Sequence, residues 1–234
     1  MSTVSTGIPE LDKALLNGLP EGSTMLLLGL PGAGMELFAK QFAGAGGGKE
    51  NVVYFSTNER EEAIMNVLRG LGKQADSIKV VDLGSRHYQN TLAKELRVSQ
   101  IRLEGVTASE IVEGKVESRK TVNFVTLLMY EISRVAAPFR IVVDSIDFFL
   151  EHYEVRDVIS IVRTLESHAQ HEKSIGLVTM LGGVYETRVQ SAMEGIVDVV
   201  IELEGQGKGK EQTIHVRKVR NFPEKVTSIT AKVK

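Results

Sequence analysis

The sequence predicts an α/β fold, a mostly parallel sheet with helices on both faces. Three observations carry that reading. Runs rich in Val, Ile and Leu recur along the chain and are apolar at successive positions, so both faces of those strands are meant to be covered. Stretches with apolar residues three and four apart lie between them, as on a helix with one buried stripe. After residue 197 the alternation stops, and three strand-like runs follow one another through short loops.

The elements read in order as follows. "TMLLLG" (24–29) is the first long strand and runs into a helix from about Met35. "NVVYFS" (51–56) is the second, followed by a helix with Ile64, Val67, Leu68 and Leu71 on one face and Gly72 as its stop. "IKVVDL" (78–83) is the third strand. Residues 84–120 carry mixed charge and weak periodicity, and we read them as an insertion over the sheet; Thr107 with Glu110 is spaced to cap a short helix there. A helix with Val125, Leu128, Ile132 and Val135 in register precedes the fourth strand, "FRIVVD" (139–144). Val155, Val158, Val162 and Leu165 mark the next helix, and "IGLVTML" (175–181) the fifth strand. The closing runs at 197–203, 212–219 and 226–233 form an antiparallel meander on the sheet edge. No boundary divides residues 1–234, so one domain is expected.

Composition narrows the chemistry. With 42% hydrophobic and 25% charged residues the chain is an ordinary globular one, and a formal net charge of −2 does not favour nucleic acid as partner. The absence of cysteine excludes disulfides, thiolate metal sites and Cys nucleophiles. Five His without ligand spacing argue against structural zinc. No apolar run approaches the ~20 residues of a membrane span, and "MSTVSTGIPELDKALL" lacks a charged-then-apolar leader. A cytoplasmic location is the expectation.

The turn after the first strand, "GLPGAGME" (29–36), has the frame of a phosphate-binding loop, G-x-x-x-x-G-K-[ST]. Gly29, Pro31, Gly32, Gly34, Met35 and Glu36 are its candidate contacts with ATP. The glycines let backbone N–H groups face phosphates. Met35, however, stands where the frame calls for Lys, and Glu36 where it calls for the Ser or Thr that ligates Mg²⁺. A lost charge-assisted contact costs roughly 1.5–3 kcal/mol. A like charge at about 5 Å adds some ~3 kcal/mol at an effective dielectric of about 20. Together that is about a thousandfold in affinity unless Mg²⁺ recruits Glu36 as a ligand. Glu36 also has a structural reading: it suits the first turn of a helix, pairs at i,i+4 with Lys40, and can serve as a fixed anion in place of phosphate. Met35 reads best as a packing residue.

Four motifs in order resemble the KaiC-like branch of the RecA superfamily of P-loop ATPases: "STGIPELDKALLNGLPEGSTMLLLG", "YFSTNEREEAIMNVLRGLG", "FRIVVDSIDFF" and "VRKVR" (216–220). The resemblance covers about residues 3–233 and implies a RecA-like three-layer sandwich. It implies an acidic pair after the second strand, here Asn58 and Glu59, whose first member usually orients the attacking water. Asn58 cannot take a proton, and it also suits a helix N-cap with Glu61 three residues on. The resemblance makes Asp144 a Mg²⁺ residue, against the plainer reading of a turn starter with Ser145. It puts Met180 and Leu181 where relatives carry a polar sensor. It gives Lys218 and Arg220 as the Lys-x-Arg that reaches a neighbouring subunit's phosphate, with Arg217 and His215 on the other face of that strand. The implied partner is a second copy in a ring or dimer, or a related ATPase. The reading of function is a KaiC-like homologue with weak or no ATP hydrolysis, acting as a regulatory or scaffold protein. The alternatives are an active ATPase with a substitute cation such as Lys40 or a neighbour's Lys218, a DNA-binding recombinase paralogue, and a protein-binding module using Tyr88 and the 84–120 segment.

Overall fold

The computed structural model describes residues 2–46, 48–72, 75–104, 122–205 and 211–233. Its eight-stranded sheet has the order β10-β9-β8-β3-β7-β6-β4-β5. The strands are β3 (Thr24–Gly29), β4 (Asn51–Ser56), β5 (Ile78–Asp82), β6 (Phe139–Asp144), β7 (Ile175–Leu181), β8 (Val199–Glu204), β9 (Glu211–Val219) and β10 (Thr227–Lys232). All neighbours from β8 to β5 are parallel; only β8–β9 and β9–β10 are antiparallel. The expected parallel sheet with a closing meander is therefore present. A short ribbon of β1 (Thr3–Val4) and β2 (Leu19–Pro20) flanks α1 (Pro9–Ala14), which packs on β10.

Two apolar layers explain why β3 is hydrophobic at every position. Met25 and Leu27 face one core with Phe38, Phe42, Tyr54 and Leu177. Leu26 and Leu28 face the other with Phe55, Val143, Leu165 and Val178. Alternation along the strand thus feeds both layers. The first layer is covered by α2 (Met35–Ala45) and α3 (Glu61–Gly70), the second by α5 (Phe124–Ser133), α6 (Asp147–His152), α7 (Val155–Glu172) and α8 (Thr187–Ile196).

Three expectations are corrected. Residues 83–104 are a helix, α4 (Leu83–Glu104), rather than irregular chain; the expected cap at Thr107 and Glu110 lies outside the described residues. The α4 start is fixed by the Asp82 carboxylate, which accepts from the Ser85 N–H at 2.7 Å and its hydroxyl at 2.6 Å. Gly84 lies so close to the Thr57 carbonyl that a Cβ there would be 2.2 Å from its oxygen. Second, α3 begins at Glu61 with Arg60 as N-cap and no side-chain cap, so the Asn58–Glu61 capping pair does not form. Third, a bulge opposite Val200 and Ile201 breaks the alternation of β9. Ile214, Val216 and Val219 share one cluster, while Arg217 and Lys218 both reach Glu194, not opposite faces.

One buried charge ties α2 and the N-terminal segment to the sheet. Arg140 on β6 is 1% exposed. Its Nε and Nη2 donate to Glu50 at 2.7 and 3.3 Å, Nη1 to the Phe42 carbonyl at 2.8 Å and Nη2 to the Ser5 carbonyl at 3.0 Å. The guanidinium also lies 4.5 Å from the Phe42 ring centre. Removing one partner of a buried pair leaves an uncompensated charge, so Glu50→Ala is expected to cost about 3–5 kcal/mol in urea unfolding. The double change Arg140→Met, Glu50→Leu should cost less. A loss below about 1 kcal/mol for Glu50→Ala, the scale of a surface pair, would sink this assignment.

Candidate functional site

The parallel strands β3, β4, β6 and β7 all end on one side of the sheet, and the candidate residues gather there. After Gly29 the chain turns through Leu30–Gly34, with the Ala33 N–H donating to the Leu30 carbonyl at 3.0 Å. Gly34 has φ of +84° and precedes the first residue of α2. Its carbonyl accepts from Leu37 and Phe38 at 3.1 and 3.0 Å. The N–H groups of Gly34, Met35 and Glu36 therefore precede the first helical donors and are free to face a ligand. The space beside Gly32 is open. The backbone of a phosphate cradle is in place.

The side chains are arranged otherwise. Met35 turns inward: it is 6% exposed and belongs to the core cluster, so close to Gly29 that a Cβ there would lie 3.0 Å from its Cγ and Sδ. That agrees with a packing role. Glu36 is exposed and forms no ion pair among the described residues. The expected Glu36–Lys40 pair is replaced by another: Lys40, 4% exposed, binds the Glu59 carboxylate. Glu59 is fixed in turn by Ser56, whose hydroxyl donates to the Glu59 carbonyl at 2.6 Å and accepts from its N–H at 3.1 Å. Asn58, next to it, is exposed.

Asp144 ends β6 and is buried. The Tyr54 hydroxyl donates to its Oδ2, and the Thr179 hydroxyl to its Oδ1 at 2.8 Å. Burial pushes the Asp144 carboxyl above the usual carboxylate range; the two hydroxyl bonds and the Lys40 charge oppose the shift, and Glu36 adds to it. Burial, then the Asp144 charge and hydrogen bond, raise the Tyr54 phenol well above its ordinary value. Thr57 bridges β4 to β6, accepting from the Ser145 N–H at 3.0 Å. At the end of β7 the Leu181 N–H donates to both oxygens of Asp147, at 3.0 and 3.2 Å.

Both Asp144 oxygens already accept hydroxyls, and Glu36 stands in place of a neutral hydroxyl ligand. Among the described residues no group of three His, Asp or Glu is placed to hold a metal ion. This donor set does not fit a divalent cation as Asp144 and the loop would have to share it. The backbone fits an anion; the side chains supply no cation beside it.

Lys218 and Arg220 lie at the other end of the sheet. β9 runs antiparallel to β8, so Thr213 pairs near the loop end while Val219 pairs with Val199 at the far end. Lys218 Nζ donates to the carbonyls of Glu194 and Val197 at 2.6 and 2.8 Å. Arg220 pairs with Asp198 at 2.9 Å and Glu166 at 3.3 Å and donates to the Ile196 carbonyl. They share a side, as their spacing requires, but within this chain they cap the C-terminus of α8.

Three functional-site neighbours were missed by sequence reading. Gln212, 2% exposed, donates from Nε2 to the Ala33 carbonyl at 2.7 Å, and a Cβ on Gly34 would lie 2.2 Å from that nitrogen. Tyr54 and Thr179 hold Asp144. Thr179 precedes Met180, so the end of β7 does carry a polar group, one residue before the expected sensor position; Met180 itself is buried. The alternation of β7 was the available signal, since a Thr inside an apolar strand needs a partner.

A family model described as the KaiC ATPase matches residues 4–233. A solved KaiC-like protein of the hyperthermophilic archaeon Pyrococcus horikoshii is similar over 98% of this chain and 94% of its own, at 21% identity and a TM-score of 0.65. A RadB recombinase is similar over 97% and 94%, at 16% identity and a TM-score of 0.60. At those identities the likeness concerns the fold. No curated protein matches.

Two outcomes follow from the site geometry. The Lys40–Glu59 contact should show a coupling of about 1–3 kcal/mol in a double-mutant cycle of Lys40→Met and Glu59→Gln by urea unfolding; additive losses would mean the pair is not formed in solution. The raised Asp144 value means that the native state holds this proton more tightly than the unfolded chain. Its stabilising contribution is full below the unfolded carboxylate pKa, about 4, and is lost as pH rises through the folded value. Asp144→Asn should therefore gain stability relative to the parent as pH goes from acidic to neutral, read as melting temperature against pH. A constant offset would contradict the shift.

Proposed function

The chain belongs to the KaiC ATPase family, a family of nucleotide-binding proteins, and on that premise we propose that this member is a regulatory or scaffold protein with little or no ATP hydrolysis. The observation that carries the reading is the Lys40–Glu59 pair, in which the ammonium is buried and the carboxylate half-buried. It joins a lysine under the loop to the remaining acid of the expected catalytic pair. A carboxylate oxygen held by the Lys40 ammonium is turned to that partner rather than to a water beside a phosphate. Asn58 cannot replace it. Met35 is committed to the core, and Glu36 places a negative charge where phosphate charge would collect.

Lys40 is a poor substitute for the missing lysine. It lies five residues beyond Met35, about 7.5 Å further along the helix axis. To serve a ligand it must leave Glu59 and take its charge out of a buried site. A DNA-binding role draws no support from the fold alone.

The expected outcome is no Mg²⁺-dependent ATP turnover above background in a coupled steady-state assay. Robust turnover that Glu59→Gln abolishes would overturn the proposal. The double change Met35→Lys, Glu36→Thr removes an anion and adds both a cation and a hydroxyl ligand. It should improve ATP binding by about tenfold or more by calorimetry. Glu36→Thr alone should help less, and an unchanged affinity in the double variant would mean that the loop is no cradle.

A further inference from the structure

The mouth of the loop has a chemistry of its own. Leu30 is 62% exposed at its tip and Val184 57% exposed in the turn after β7. The two turns are held side by side, since the Gly182 N–H donates to the Gly29 carbonyl at 2.9 Å. Pro31 and Gly183 are exposed between them. A phosphate entrance has no need of large exposed aliphatic groups, which bear a hydration cost without a charged ligand to serve.

Glu36 follows in the same turn, six residues after Leu30. It lies in the first turn of α2, is exposed, and forms no ion pair among the described residues. Its i+4 neighbour, Lys40, is taken by Glu59. The carboxylate also neutralises the positive end of the helix, which would otherwise draw anions. The entrance is thus an exposed carboxylate beside aliphatic side chains, on rigid backbone pinned by Gln212.

We propose that this mouth is a docking surface for a partner polypeptide, and that the partner presents a Lys or Arg flanked by apolar residues. The inference rests on the scaffold reading above, because a loop that held nucleotide would not be free for it. The charge complementarity is specific: the cation pairs with Glu36, and the flanking apolar side chains cover Leu30 and Val184. A charge-assisted contact gains strength where apolar side chains around it exclude water, so the flanking residues of the partner are part of the recognition. The loop has in this way exchanged recognition of an anion for recognition of a cation at the same position.

The test uses the full chain and random twelve-residue peptides displayed on phage. Selection is expected to enrich peptides with Lys or Arg next to aliphatic or aromatic residues. A synthetic peptide of the enriched sequence should bind the parent with a salt-dependent affinity. Glu36→Lys and Leu30→Asp should each weaken it by about tenfold or more, while Glu10→Lys, the same charge change on α1, should leave it intact. All three side chains are exposed, so the variants are expected to fold. Enriched peptides without a basic residue, binding indifferent to Glu36→Lys, or no enrichment at all would each overturn the inference. So would self-association through this face that Glu36→Lys abolishes, since the occupant is then a second copy. Robust Mg²⁺-dependent ATP turnover by the parent would instead sink the scaffold reading itself, whereas micromolar ATP binding without turnover would overturn only the docking inference, so the two failures are separable.

Discussion

A lysine ammonium cannot be buried alone, and the rest of the site is arranged around that fact. Lys40 is held under the loop by the packing of α2 on the sheet, through Phe38, Ala39 and Phe42. Desolvating its charge costs several kcal/mol unless an anion meets it. Glu59 is the anion, and Ser56 fixes the backbone that carries it. From there the polar contacts continue: Thr57 joins β4 to β6, and Tyr54 and Thr179 close on Asp144. The ends of β4, β6 and β7 and helix α2 are so linked by side chains of this chain alone. In a loop that works on phosphate, part of that balancing charge comes from the ligand.

The long apolar strands and their helices were legible because burial on both faces forces a continuous apolar run, and the short length of each run between helix-period stretches marks it as a strand. The Met35–Glu36 departure was equally legible, since the motif fixes what should stand there. Helix α4 was not. Among its described side chains Leu83, Gly84 and His87 dock, while Tyr88, Leu92 and Leu96 are exposed, so no continuous apolar stripe marks it. The β9 bulge was hidden for a different reason. One extra residue inverts the facing of everything beyond it, and composition carries no trace of that. The Lys40 partner was misassigned because helix spacing favours Glu36, whereas tertiary packing turns Lys40 inward and leaves Glu36 on the surface.

Lys218 and Arg220 illustrate how a motif and its local chemistry separate. Their spacing and their common side were readable, and both hold in the structure. What they bind within the chain is the carbonyl end of α8 and the acids Asp198 and Glu166. Burial lowers the Lys218 pKa, with Arg220 beside it acting in the same direction. A side chain already satisfied by two carbonyls has a cost to overcome before it reaches another subunit. The local role suffices to explain both residues.

The same separation explains why the loop keeps its shape without the residues that would use it. Its form is set by backbone torsions at Gly32 and Gly34, by the Ala33–Leu30 turn and by Gln212 on a strand from the far end of the sequence. None of these depends on a cation at position 35 or a hydroxyl at 36. Packing even gains from the change, because Met35 fills space against Gly29 that a charged side chain could not occupy without a partner. Fold and phosphate chemistry therefore rest on different atoms of the same eight residues. That is why similarity of fold here extends over nearly the whole chain while the chemistry has to be argued from Met35, Glu36, Lys40 and Glu59.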